Sequence, residues 1–208
     1  MTQDPFAQVR QAHRICGAYY QQILPMINEV AQKSETSFLL WDVWSFDRPP
    51  RRRVNPLEVW KWGYLPMLDV SFVFSKQEQP DIPMTPADYV LDFKLVTDSE
   101  LEYHQRELKY GEEEPVATQL VTSAEEAKSY LNVYLFCAAN NDDIYASPED
   151  LWESYSGYPE TNSAIHLSDN NQIKSIAFNV PLADIADDNG VNWLVEKIAE
   201  HRKRLLKS

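Results

Sequence analysis

The stretch YVLDFKLV, residues 89–96, decides how the chain is read. Strict alternation puts Tyr89, Leu91, Phe93 and Leu95 on one face and Val90, Asp92, Lys94 and Val96 on the other, the period-two pattern of a β-strand. The preceding apolar run, PMLDVSFVF at 66–74, alternates in the same way, with Leu68, Val70, Phe72 and Phe74 on the apolar face and Asp69 on the polar one. Between them, SKQEQPDIPMTPAD is rich in turn formers, so the two strands are expected to pair as a hairpin. Asp92 and Lys94 are read as a polar pair on the outer face of their strand, serving solubility and edge protection.

Outward from this pair, TSFLLWDVWSF (36–46) and NVYLFCA (132–138) also have strand composition, and SAIHLS with IKSIAFNV flanks the turn DNNQ as a second hairpin. Helical signals frame them. Asp4-Pro5 caps a periodic run whose stripe is Phe6, Val9, His13, Cys16, Tyr20, Ile23, Ile27 and Val30, and Pro25 is expected to break it into two segments. Asn55-Pro56 opens a short helix ending at Gly63, Ser99 opens one running to Tyr110 before Gly111, and Ser123-Ala-Glu-Glu126 is a capping box for another. Ser147-Pro148 starts a helix near 148–155, and a last helix begins near Val191 and ends in bases. Elements so mixed predict one α+β domain over residues 1–208, with a largely antiparallel sheet and the N-terminal and C-terminal helices packed on it.

The composition is that of a folded chain, with only 5 Gly against 13 Pro in 208 residues. No apolar leader opens the sequence and no window is long enough to span a bilayer, which predicts a cytosolic protein with no membrane partner. Cys16 and Cys137 are both expected to be small buried thiols. Most of the net charge of -13 comes from one segment, because residues 98–153 carry 14 acids and 3 bases. Such a field repels nucleic acid and attracts a basic partner.

The scattered glycines form neither a dinucleotide fingerprint nor a phosphate loop, and the four histidines make no metal-ligand spacing. His166 is read as an ordinary strand residue. No cofactor and no resident metal are expected. Asp69 with Asp92-Phe93-Lys94 resembles the core of the PD-(D/E)xK nucleases, although no proline precedes Asp69. That resemblance implies a Mg²⁺-dependent phosphodiesterase in which two carboxylates hold the metal and Lys94 orients water.

The leading expectation is a non-enzymatic, acidic, protein-binding module of the immunity, inhibitor or regulator kind. Glu112, Glu113, Glu114, Glu125, Glu126, Asp142 and Asp143 would steer a basic partner, with Tyr110, Tyr145 and Trp152 as anchors. RPPRRR at 48–53 is a loop whose arginines face either an anion or the protein's own acids. Of Trp41, Trp44, Trp60 and Trp62 around it, at least one in each neighbouring pair belongs in the core.

Overall fold

A computed structural model describes residues 4, 6–46, 48, 51, 53, 55, 62–65, 67–77, 79, 83–141, 145–155 and 157–207. Its frame is a six-stranded antiparallel sheet, in the spatial order β1-β2-β3-β4-β6-β5. The strands are β1 (Ser37–Val43), β2 (Asp69–Lys76), β3 (Tyr89–Val96), β4 (Tyr130–Ala138), β5 (Asn162–Leu167) and β6 (Ile173–Pro181). The helices are α1 (Ala7–Lys33), α2 (Tyr103–Tyr110), α3 (Pro148–Glu153) and α4 (Asp188–Lys207), with 3-10 turns at Trp62–Tyr64 and Leu182–Ile185. The α+β architecture with terminal helices on the sheet follows from the alternation read in β2 and β3. The two strands pair directly, Phe72 opposite Phe93 and Ser71 opposite Lys94.

The face of β3 that carries Leu91, Phe93 and Leu95 packs with Val70, Phe74, Val133, Leu135 and Phe178 beneath α1 and α4. Helix α4 begins under tight constraint. Asp187 caps it through Gly190 N at 2.8 Å, and the Gly190 backbone lies so close to Asp184 O and Ile185 Cα that an added Cβ would meet them at 2.3 and 2.6 Å. Only glycine fits there without a shift.

The opposite face is not the solvated surface expected of Asp92 and Lys94. β3 lies inside the sheet rather than at its edge, and all eight of its residues are buried, including Asp92 at 0% and Lys94 at 4% exposure. Val73, Val90, Tyr134, Phe136 and Leu151 form a second apolar cluster on this side, closed over by Trp152, Tyr155 and Tyr158. Alternation reports which side chains share a face; what covers that face comes from distant loops.

Four local expectations are corrected as well. Pro25 does not divide α1, which is continuous from Ala7 to Lys33. The proline is exposed, so the carbonyl it leaves without a donor lies on the solvent side of the helix. The capping box at Ser123 forms its reciprocal bonds with Glu126, yet only a turn results, because Lys128 N is taken by Ser99 Oγ and the chain passes into β4. Helix α2 starts at Tyr103 rather than Ser99, since Glu102 is its cap and accepts from Gln105 N. Cys137 is buried, but Cys16 is only half-buried on the outer part of α1. The helix read from Pro56, Trp60 included, falls largely outside the described residues.

Candidate binding surface and the carboxylates beneath it

Between β3 and β4 the chain leaves the sheet for residues 97–129, an excursion that contains α2. Two buried carboxylates fasten it. The first is Glu102, whose Oε1 accepts from Lys94 Nζ at 2.8 Å while Oε2 caps α2. Lys94 Nζ also stands 3.5 Å from Asp69 Oδ2 and 5.0 Å from the Trp44 ring centroid. Asp69 Oδ2 in turn accepts from Tyr103 N at 2.9 Å, so β2, β3 and the start of α2 converge on one ammonium group. Burial raises Glu102, but the charge and hydrogen bond of Lys94 outweigh it and hold the carboxyl below its ordinary value. Burial pushes Asp69 up to about 6, although Lys94 pulls the other way.

The second fastening is Glu100, 1% exposed. It accepts from Tyr110 OH, from Lys109 Nζ, from Thr122 Oγ1 and from the amides of Val121 and Thr122 at 3.2 and 3.3 Å. Burial alone would raise this carboxyl, but the bonds from Lys109, Thr122 and Tyr110 take it down to about 2. A carboxylate so surrounded stays charged and ties both ends of the excursion together.

Farther along the same face, Asp92 Oδ2 accepts from Ser71 Oγ at 3.1 Å, from Trp152 Nε1 at 3.0 Å and from Tyr158 OH. Ser71 receives Trp44 Nε1 at 2.9 Å, and the Tyr158 ring meets Trp44 and Tyr134 edge-on at 4.9 and 4.4 Å. Burial lifts Asp92 to about 6 and Tyr158 well above its usual range.

The residues proposed from the sequence therefore divide. Asp69, Lys94 and Asp92 share one face, but Asp69 is opposite Val96 and Asp92 opposite Val73. Four residues of strand, about 13 Å, separate their backbones. The Lys94 ammonium lies against Asp69 and Glu102, at 3.5 and 2.8 Å. Among the described residues no three His, Cys, Asp or Glu side chains are grouped to hold a metal ion. Tyr110 is turned inward onto Glu100, Trp152 onto Asp92, and Tyr145 is 7% exposed, its carbonyl receiving Met84 N. Glu112, Glu113, Glu125 and Glu126 are exposed and Glu114 is half-buried; Asp142 and Asp143 lie outside the described residues.

Sequence reasoning missed Glu100 and Glu102 as interior groups, because nothing in a run of acids marks which of them turn inward. It also missed Ser71, Trp44 and Tyr158 as partners of Asp92. The apolar members of the excursion were missed as well: Leu108, Val116 and Val121 are 80%, 51% and 75% exposed. Trp62, stacked on Phe46 and donating to Pro115 O at 2.8 Å, supports the loop below them.

The sequence model of the PM0109 family matches residues 1–206, nearly the whole chain. The chain belongs to the PM0109 family. No curated protein and no solved structure matches it. The family name carries no activity, so function rests on the geometry described above.

Proposed function

We propose that this member of the PM0109 family is a protein-binding module whose recognition surface is the excursion 97–129. One observation carries the reading: large apolar side chains, Leu108, Val116 and Val121, are exposed on the same segment as the exposed carboxylates of Glu107, Glu112, Glu113, Glu125 and Glu126. Isolated exposed apolar residues are ordinary, but three on one acidic segment suit an interface with an apolar centre and a charged rim. Glu100 and Glu102 hold that surface in place before a partner arrives, which lowers the ordering cost of binding. The partner would be a protein with a basic, apolar-centred face.

The phosphodiesterase reading has less behind it. Lys94 and Asp92 are sealed under aromatic rings, and a polyanion would approach through the acidic excursion. The deciding experiment is affinity capture from the source cell with the wild type and with Leu108→Asp/Val121→Asp, whose substitutions lie at exposed positions. A basic protein retained by the wild type and lost by the variant is the expected result. Equal retention by both, or Mg²⁺-dependent cleavage of nucleic acid that Asp92→Asn abolishes, would overturn the reading.

A further inference from the structure

A hydroxyl and an imidazole meet at the β5 edge of the sheet, in residues that have no part in the excursion 97–129. Strand β5 is the last of the sheet, and its register with β6 slips: Asn162 stands opposite Phe178 and Ile165 opposite Ile176, so Ser163 and Ala164 face the single Ala177. The extra residue makes a β-bulge, a device that re-aims a side chain. Ser163 is bent into the left-handed region, φ +61°, a conformation that costs energy in residues other than glycine. Arg204 Nη2 donates to Ser163 O at 2.7 Å and holds the bent peptide.

Ser163 Oγ lies 3.1 Å from Nε2 of His201, which comes from α4. The other ring nitrogen, Nδ1, is 2.7 Å from Lys197 O. A carbonyl can only accept, so Nδ1 carries a proton; in the neutral ring Nε2 is then the acceptor and Ser163 the donor. The surroundings favour the neutral ring. His201 is 4% exposed and packs on Phe178, ring centroids 4.5 Å apart, and burial is the largest influence holding it below the ordinary 6.5. The charges of Arg204 and Lys197 act with burial, while the Lys197 carbonyl and Glu200 oppose it. A serine that donates to a neutral imidazole, itself oriented by a third group, is the arrangement of an activated nucleophile. A hydrogen bond that merely tied β5 to α4 would not require a strained serine. Ser163 is half-buried, with Asn162 and Ala164 exposed on either side, so the hydroxyl is approached from the edge of the sheet.

We propose that Ser163 is a nucleophile with His201 as its general base, and that the pair transfers acyl groups from carboxylic esters to Ser163 Oγ and on to water. In the first step Oγ attacks the acyl carbon while its proton passes to His201 Nε2. The bond from that carbon to the alcohol oxygen then breaks, and the same proton leaves with the alcohol, giving acyl-Ser163. Water attacks in turn, with Nε2 again taking the proton and returning it to Oγ, so that a carboxylic acid departs and both side chains are restored. Lys197 Nζ, over the Phe178 ring at 4.5 Å, and Arg204 put positive charge on the side where the tetrahedral oxygen turns negative.

The test is labelling of the full chain with a fluorophosphonate, from whose phosphorus Ser163 Oγ would displace fluoride, followed by peptide mass mapping. The wild type should carry the phosphonyl group on Ser163, at a rate that rises with pH to a midpoint below 6.5 as His201 loses its proton. His201→Gln should label at least about a hundredfold more slowly. Ser163→Gly suits a φ of +61°, so it should fold and yet stay unlabelled there. The wild type should turn over p-nitrophenyl acetate, and neither variant should. A Ser163 that labels no faster than in the urea-unfolded chain, a rate without that midpoint, or equal labelling of a His201→Gln variant that circular dichroism shows to be folded would overturn the proposal.

Discussion

At the scale of single residues, Asp92 has a higher free energy in its charged form than its three hydrogen bonds suggest. Ser71, Trp152 and Tyr158 all donate to Oδ2, and burial still lifts the carboxyl from 3.8 to about 6. The sign of the consequence is fixed by linkage: the folded state holds its proton more tightly than the unfolded chain, so this stabilising contribution is complete below about 4 and is lost as pH rises through about 6. Asp69, also raised to about 6, acts in the same direction. Asp92→Asn keeps an acceptor for the three donors and removes the buried charge. Urea titrations at pH 5 and pH 8 should show the variant gaining of order 1–2 kcal/mol on the wild type from the lower pH to the higher, part of the cost being already present at pH 5. A variant less stable than the wild type at pH 8 would mean that Lys94 depends on the Asp92 charge. Gly190 gives a prediction of the opposite sign. A methyl group there would press on the backbone of Asp184 and Ile185, so Gly190→Ala should cost about 1–3 kcal/mol despite its better helix propensity. An unchanged denaturation midpoint would show that the contact yields freely.

The excursion is the element on which the functional reading depends, and Glu100 governs it. Its carboxyl lies near 2, below the ordinary 4.5, so the stability it confers is present above about 4.5 and is lost as pH falls towards 2. The excursion should loosen in acid before the sheet melts. Glu100→Gln should bring the same loosening at neutral pH, because an amide cannot accept from Lys109, Thr122, Tyr110 and two backbone amides at once. Faster hydrogen exchange at Val121 and Thr122, with β3 and β4 still protected, is the expected pattern, and a local cost of about 1–3 kcal/mol is in keeping with a buried carboxylate losing its donors. Unaltered exchange at those amides would remove Glu100 from this role.

How much of this was legible in sequence follows from the range of each interaction. The strands β2, β3, β4 and the β5–β6 pair were readable because alternation is local, and so was the bulk of α1. The inward turn of Glu100 and Glu102 was not, since it depends on Lys109, Thr122 and Lys94 at distances set by the fold. The capping box at Ser123 shows the limit from the other side. Its side chains bond as the motif requires, yet a tie between Lys128 and Ser99 directs the backbone elsewhere.

For the molecule as a whole, the charge arithmetic now has a geometry. Part of the acidic excess of residues 98–153 is internal, with Glu100 and Glu102 neutralised by Lys109 and Lys94. The long-range field therefore comes from the carboxylates left outside, among them Glu107, Glu112, Glu113, Glu125 and Glu126. If that field guides a basic protein to Leu108, Val116 and Val121, attraction acts before contact, and salt should slow association more than it hastens dissociation. Reversing the exposed Glu112 and Glu113 together to Lys should lower the on-rate several-fold at low salt, while the off-rate and the melting temperature change little, because exposed charges contribute little to stability. Stopped-flow association with the captured partner across a salt series measures both quantities. An on-rate indifferent to salt and to the reversal would leave the apolar side chains without electrostatic guidance, and the acidic surface would then be a solvated face only.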